Sequence, residues 1–304
     1  MIFILSRSIE FLFFCILALN LSKCWQANVF SLGIQGFYLI SSYAVVLLSL
    51  FISDVIRIDS DRANLLFLFS SVIMAGFLTM GMSKLFFRIF KKLKDDYFAI
   101  ASLAFAEILI ILASNIDLVG GARGITISNT FFLQSAVSNK LFYFALMCVV
   151  FAFCLARLVR QNRSLEGLVI KALSDDELGT QHLGINTQNI RETVFTKCGF
   201  WVGISGAIMT HYFVTIAPEN FSFLTSIPIL LFVVIGNYSL FRTVFLSLLI
   251  YSVYELFKIN FAGLISTALG NFLSNIQGVF YGVLLIASVQ YIFGKKSKKY
   301  GQRY

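Results

Sequence analysis

Little in this 304-residue sequence could do covalent chemistry. The only histidines are His182 and His211, which leaves little material for a metal site or a histidine-based catalyst. No metalloprotease, dinucleotide-binding or nucleophile-elbow motif occurs. The nearest match to a phosphate-binding loop, GFLTMGMSK at residues 76–84, lacks the Gly-Lys-Ser/Thr order and does not follow a strand. We therefore expect no enzyme, no nucleotide site, no metal and no bound cofactor.

One carboxylate stands where a charge is costly. Glu107 lies inside the apolar run DYFAIASLAFAEILIIL at residues 96–112, and a charge at the centre of a bilayer costs about 3 kcal/mol on insertion scales. Such residues usually face a bundle interior or a pathway. Two interpretations stay open: Glu107 lines a transport pathway, or it is a structural carboxylate bonded to a neighbouring helix.

Glycine and serine recur beside apolar stretches at residues 30–37 and 202–210. Small residues let helices approach each other closely, and in a transporter they also leave room for substrate. We expect close helix packing from both segments, and Ser31 and Gly33 are candidates for a polar corner of a pathway.

A polar island, LSDDELGTQHLGIN at residues 173–186, interrupts the apolar sequence. Upstream of it, Leu165, Leu168, Val169 and Leu173 recur at helical spacing, which predicts one apolar helix face. The run from Ser174 to the glutamate three residues later fits a capping box and predicts a helix that starts at Ser174. From the residues alone, a solvated loop is the favoured interpretation and a docking helix is the alternative.

The elements that must position these residues are membrane helices. Of the chain, 58% is hydrophobic and 13% is charged, whereas ordinary globular domains are about 25% charged. We therefore expect an all-α, polytopic transmembrane bundle that forms one domain over residues 1–304. Because a crossing needs roughly 20 apolar residues, we predict about nine spans (8–10), at residues 3–21, 29–53, 63–83, 97–116, 139–160, 193–216, 223–236, 240–257 and 273–293.

Two of these spans are doubtful, since 223–236 is short and 97–116 contains Glu107. Either could be a half-helix.

The first apolar run has its only basic residue, Arg7, behind an apolar opening, and no small-x-small cleavage site follows it. It is therefore expected to be an uncleaved helix.

The basic residues predict the orientation. Fifteen of the 24 Lys and Arg residues fall in segments 84–94, 157–191 and 295–303. Because basic loops between apolar spans mark the cytoplasmic side, we expect the N-terminus outside, the C-terminus in the cytoplasm and a cytoplasmic loop at residues 161–190. Since the positive charge is accounted for by membrane topology, we do not expect nucleic-acid binding.

Several motifs resemble one family. DDYFAIASLAFAEI at residues 95–108 and GGARGI at 120–125 are the most specific, and SLG (31–33), HY (211–212) and APENFSF (217–223) also fit. Together they resemble the permease subunits of branched-chain amino acid ABC transporters, especially the larger of the two paired permeases. The resemblance extends over nearly the whole chain. It implies pathway residues among the small and polar groups, and our candidates are Ser31, Gly33, Glu107 and Tyr212.

The polar island resembles the family's loop that docks onto ATPase subunits, with agreement at Glu177, Gly184, Ile185 and Asn186. An alanine pair of the family is replaced here by Gly179 and Thr180, and the glycine should weaken the helix by about 1 kcal/mol. The coupling residues that the resemblance implies are Ser174, Asp175, Asp176, Glu177, Leu178, Gly179, Thr180, Leu183 and Gly184.

The resemblance also implies partners and a location. It implies a second permease subunit, two cytoplasmic ATPase subunits, an external substrate-binding protein and a lipid bilayer, namely the cell's inner membrane. Departures from the family occur at GNYS (236–239), Ile34 and Arg123, and they leave urea, amides or another small polar solute as alternative substrates. A self-sufficient ion-coupled carrier or channel is a rival of a different class, which would need several intramembrane acids. A non-transporting membrane scaffold is a third interpretation.

Overall fold

The computed structural model of the protein describes residues 2–55, 61–127, 135–237, 239–262 and 279–290. Within these ranges the all-α prediction is confirmed, because eleven helices carry the fold and the sheet is a single pair of two-residue strands. The helices are α1 (Ile2–Gln26), α2 (Ile34–Val55), α3 (Asp61–Phe90), α4 (Asp95–Asn115), α5 (Ala136–Arg163), α6 (Leu165–Asp175), α7 (Glu177–His182), α8 (Thr187–Phe213), α9 (Phe223–Gly236), α10 (Leu240–Ala262) and α11 (Val279–Gln290). Strand β1 (Ile125–Thr126) pairs antiparallel with β2 (Thr215–Ile216).

In the described part of the chain, six helical segments are long and apolar enough to cross a membrane. They are Ile2–Gln26, Ile34–Ile52, Arg62–Phe90, Asp96–Asn115, Val137–Arg163 and Pro218–Gly236. The protein is thus a multi-pass helical membrane bundle.

The two doubtful spans differ in their outcome. Residues 97–116 form α4, which has the length and composition of a span although it contains Glu107. Helix α9 has 14 residues and reaches 19 only with the 3-10 turn Pro218–Phe221 that precedes it. Helices α8 and α10 are long, with 27 and 23 residues, but they fall outside the six apolar segments. Of the expected last span, 273–293, the described residues include only α11.

Helix α8 is the centre of the packing, because it contacts α1, α2, α3, α5 and α7. It runs antiparallel to α3, and glycines allow the two backbones to approach. A Cβ at Gly199 would lie 2.2 Å from the Ser83 hydroxyl, and one at Gly203 would lie 2.8 Å from the Ala75 carbonyl oxygen. Gly206 likewise faces Tyr38 on α2. The close packing expected for residues 202–210 is confirmed.

A phenylalanine cluster joins α2, α3, α4 and α8. The Phe37 ring lies 5.9 Å from Phe86, 5.9 Å from Phe105 and 5.5 Å from Phe195, measured between centroids. Phe86 also contacts Phe98 at 5.5 Å. Edge and tilted ring contacts of this kind add to the apolar contact between the helices, so the cluster fixes α2 against the α3–α8 pair.

Candidate functional site

The corner formed by residues 31–33 lies directly before α2 and is bound to α4. The backbone N–H groups of Leu32 and Gly33 donate to the Ser102 hydroxyl at 3.0 and 3.2 Å. A Cβ at Gly33 would lie 1.8 Å from the Ser102 carbonyl oxygen, so only glycine fits there. The Ser31 hydroxyl is buried, and no hydrogen bond to it is found in the structure. The backbone of residues 31–33 is therefore bound to α4 through Ser102, and the place of Ser31 and Gly33 in a pathway stays a prediction.

Glu107 lies on α4, five residues after Ser102, which corresponds to about 7.5 Å along a helix. Its side chain is half-buried, and Ala106 beside it touches Gly36 of α2. Tyr212 lies elsewhere, near the end of α8, where its ring meets Tyr143 of α5 at 5.8 Å. The structure thus brings Ser31, Gly33 and the helix of Glu107 together but separates them from Tyr212.

A second set of charged residues lies within the helices and was not predicted from the sequence. Arg7 and Glu10 on α1 form an ion pair of 2.7 Å, and Arg7 also lies 3.6 Å from Glu255 on α10. The Tyr251 hydroxyl donates to Glu10 at 3.4 Å. The signal for the first pair was present in the i,i+3 spacing of Arg7 and Glu10. The contact with Glu255 joins residues 248 positions apart, which local spacing does not reveal.

The predicted helix start at Ser174 is wrong. Ser174 belongs to the last turn of α6, which ends at Asp175, and the next helix is capped by Asp176. The Asp176 carboxylate accepts a hydrogen bond from the Gly179 N–H at 3.0 Å. An aspartate is as good an N-cap as a serine, and with Asp176 as the cap of α7 the preceding helix α6 extends to Asp175.

The predicted apolar face of α6 is also wrong in part. The buried residues of α6 are Gly167, Ile170 and Leu173. Of the residues predicted to be buried with Leu173, Leu165 and Leu168 are exposed instead. Gly167 lies against the backbone of the preceding turn, where a Cβ would be 2.2 Å from the Gln161 carbonyl oxygen. This close approach rotates the helix away from the face that spacing alone predicted.

Helices α6 and α7 are bound to the rest of the protein by charged and polar contacts. Glu177 forms an ion pair with Arg191 of α8 at 2.6 Å, and Glu166 pairs with Lys197 of α8 at 2.7 Å. The Asn28 side chain donates to the Leu173 carbonyl at 3.0 Å and so joins α6 to the α1–α2 connection. These contacts join α6 and α7 to α8 and to the segment before α2.

Two glycines of the loop have distinct structural roles. A Cβ at Gly179 would lie 2.7 Å from Oδ2 of Asp176, the carboxylate oxygen beside the capping Oδ1, so the glycine makes room for the cap. Gly184 has φ of +78° and follows the end of α7, a left-handed position that glycine adopts without strain. Thr180 is buried and its hydroxyl donates to the Asp176 carbonyl at 2.7 Å.

Four leucines of α6, α7 and the residue after α7 form an exposed group, which we call the leucine patch. Leu165 is 80% exposed, Leu178 68% and Leu183 76%, and Leu168 is also exposed. Large exposed apolar patches mark contact sites for proteins or membranes. The patch adjoins a polar cleft of about 500 Å³ lined by Lys91, Lys92, Lys94, Glu177 and Arg191. Segment 84–94 thus lies beside the loop at 161–190.

Comparisons with known proteins identify the family. Residues 3–289 match the sequence model of a family described as the permease component of branched-chain amino acid transport systems. The chain is 30% identical over 234 residues to the LivM permease protein of the high-affinity branched-chain amino acid transport system of Escherichia coli K12. It is equally similar to the LivM protein of Salmonella typhimurium LT2. Each alignment covers 68% of this chain and 52% of the relative, so the chain spans about half the length of these relatives. No solved structure matches.

Proposed function

Because the chain belongs to the family of permease components of branched-chain amino acid transport systems, we propose that it is a permease subunit of an ATP-binding-cassette importer for these amino acids. The observation that carries the proposal is the family match over residues 3–289. The subunit lies in the cell's inner membrane and supplies half of the translocation pathway, and a second permease subunit supplies the other half. An external binding protein delivers the substrate, and two ATPase subunits drive the transport cycle.

We propose nine crossings with the N-terminus outside and the C-terminus in the cytoplasm. Two observations support this orientation. The Arg88–Glu192 ion pair of 2.8 Å joins the ends of α3 and α8 that carry the basic segments. The polar cleft brings the lysines of segment 84–94 to the same end of the bundle as the loop at 161–190. Both basic regions then face the cytoplasm, as the positive-inside rule requires.

The leucine patch is the docking surface for the ATPases. Its exposed leucines would insert into an apolar groove, as amphipathic helices do in helix-in-groove recognition. When the ATPase pair closes on ATP, the patch would move with it. The Glu177–Arg191 ion pair would carry that movement to α8, and the Asn28–Leu173 hydrogen bond would carry it to the corner at Ser31 and Gly33.

The pathway itself would use the polar groups proposed from the sequence. Ser31 and Gly33, held by Ser102, provide hydroxyl and backbone groups at the start of α2. Glu107 projects from the half-buried side of α4, close to the α2–α4 contact. Tyr212 lies at the other end of the bundle, near the strands β1 and β2, and would act at the outer mouth.

One observation favours a second candidate, an ion-coupled carrier. Glu10 and Glu255 lie within helices of the bundle, and such carriers use intramembrane acids. The contacts of Glu10 and Glu255 with Arg7 neutralise one of the two negative charges. This supports a structural role for the three residues. The two candidates differ in the source of energy, since a carrier would take up substrate under an ion gradient without ATPases.

The test is purification and reconstitution of the tagged full-length chain from its own membranes. We expect an ATPase and a second permease to co-purify, and we expect proteoliposomes that contain the complex and its binding protein to accumulate leucine only with ATP. Uptake of urea in place of leucine would contradict the proposal that branched-chain amino acids are the substrate. Uptake driven by an ion gradient without ATP would contradict the importer class.

A single substitution tests the docking surface. Leu178→Glu places a charge in the leucine patch, and we expect at least a tenfold loss of co-purified ATPase and of uptake. The control is Leu224→Glu, which puts the same charge on an exposed leucine at the start of α9, outside the loop and its cleft, and should leave both unchanged. Equal losses in the two variants would refute docking at the patch.

A further inference from the structure

A partly enclosed cavity of about 380 Å³ lies among α1, α2, α8 and α9, and its lining includes Gln35, two residues after Gly33. Ligand sites have volumes of about 300–1,000 Å³, so the cavity is large enough for a small solute. Its lining is mostly apolar, with Phe13, Phe14 and Leu17 from α1 and Ile229 from α9. Nothing in the mechanism above uses this space.

The sequence of α1 explains why these residues share one wall. Glu10, Phe13, Phe14 and Leu17 follow one another at i, i+3, i+4 and i+7, which places them on a single helix face. That face carries one carboxylate followed by three apolar side chains. The wall therefore has an anionic end and an apolar body.

The opposite wall contains a buried amide with an unused donor. Gln35 of α2 is 2% exposed and Ser226 of α9 is 0% exposed. The Ser226 hydroxyl donates to Gln35 Oε1 at 2.8 Å, while Gln35 Nε2 is buried with no hydrogen-bond partner in the structure. A buried N–H group without an acceptor is unfavourable, and an acceptor bound in the cavity would satisfy it.

Glu10 is already partly engaged, but only through one oxygen. Arg7 and Tyr251 both donate to Glu10 Oε2. The hydrogen bonds found among the described residues thus do not use Oε1, and Glu10 belongs to the lining of the cavity. The cavity offers a carboxylate oxygen from α1, an amide donor from α2 and apolar surface between the helices.

We propose that this cavity binds an α-amino acid with an apolar side chain. The ligand's ammonium group lies at Glu10, its carboxylate accepts from Gln35 Nε2, and its side chain packs against Phe13, Leu17 and Ile229. Urea lacks an apolar part and would leave that surface unfilled. The inference rests on the proposed function and deepens it, because it assigns the substrate a specific site within this subunit.

The first experiment needs no substitution. Proteoliposomes with the assembled transporter are irradiated with a diazirine analogue of leucine, and the labelled peptides of this chain are sequenced. We expect label on the peptides that carry Phe13–Leu17 or Ile229, and we expect excess leucine, but not urea, to prevent it. Label confined to other peptides, or no leucine-protected label, would overturn the cavity site.

Uptake by the same proteoliposomes separates this inference from the proposed function. Leucine uptake with label elsewhere would overturn the cavity site alone and leave the importer intact. Protected label in the cavity without any uptake of branched-chain amino acids would support the site and refute the importer.

A matched pair of variants tests the role of the amide in the purified full-length chain. Gln35→Glu keeps an acceptor for Ser226 but opposes the ligand's carboxylate, so leucine binding should weaken at least tenfold. Leucinol lacks a carboxylate, and its binding should change less than twofold. Gln290→Glu makes the same change at an exposed position of α11 and should alter neither. Equal weakening of leucine and leucinol in Gln35→Glu would refute the assigned contact.

Discussion

The substitution Gly33→Ala tests the closest contact in the polar corner. The new Cβ would lie 1.8 Å from the carbonyl oxygen and 2.4 Å from the carbonyl carbon of Ser102. Both atoms belong to the backbone of α4, so the conflict is relieved only if α2 and α4 move apart. That movement would break the bonds from the Leu32 and Gly33 N–H groups to the Ser102 hydroxyl.

The expected magnitude follows from these contacts. Each lost hydrogen bond costs about 1 kcal/mol, and overpacking of a tight contact costs about 1–3 kcal/mol. Gly33→Ala should therefore lower the free energy of unfolding by about 3–5 kcal/mol. Ser102→Ala removes the two bonds without the clash and should cost about 2 kcal/mol.

Gly81→Ala is the matched control, because no atom lies within 4 Å of a Cβ at Gly81 of α3. Alanine is the better helix former by about 1 kcal/mol, so this variant should unfold at or above the wild-type temperature. The assay is thermal unfolding of the full-length protein in detergent, followed by tryptophan fluorescence. Trp25 reports directly on the corner, since its indole N–H donates to the Ser31 carbonyl at 3.4 Å. If Gly33→Ala unfolds at the temperature of Gly81→Ala, the contact between the corner and α4 does not exist as described.

Three further predictions concern the loop and the intramembrane charges. Asp176→Ala removes the cap of α7 and should destabilise that helix by about 1 kcal/mol. The expected result is faster amide hydrogen exchange over residues 177–182, whereas Asp176→Asn should keep the wild-type exchange rate. Gly179→Ala should also accelerate that exchange despite alanine's higher helix propensity, because its Cβ crowds the Asp176 carboxylate; slower exchange would contradict this. Arg7→Leu leaves Glu10 and Glu255 without their shared cation. It should lower the free energy of unfolding by about 2 kcal/mol, a value between those for surface and buried ion pairs. The measurement is thermal unfolding, and Arg7→Lys, which keeps the charge, is the control.

Much of the architecture followed from local sequence. The apolar fraction and run lengths predicted a helical membrane bundle, since a bilayer admits backbone only as helices or closed barrels. A span at 97–116 was predicted, although Glu107 left a half-helix open, and α4 (Asp95–Asn115) has the length and composition of a full span. The motifs at 95–108 and 120–125 identified the family that the comparisons then matched. Each of these features depends on neighbouring residues in the chain, so sequence alone carried the information.

Other features were decided only when the helices packed. The capping-box pattern predicted a helix start at Ser174, but α6 continues to Asp175 and the next helix is capped by Asp176. Which leucines of that loop are exposed also depended on how Gly167 and Ile170 turn α6 toward the bundle.

Contacts between residues that are far apart in the sequence could not be predicted from local spacing. Arg7 and Glu255, like Gln35 and Ser226, meet across helices that are distant in sequence. The composition of α1 by itself determined that Glu10, Phe13 and Leu17 share a helix face. Only the tertiary structure placed that face opposite a buried amide, because a cavity is formed by the walls of several helices and belongs to none of them.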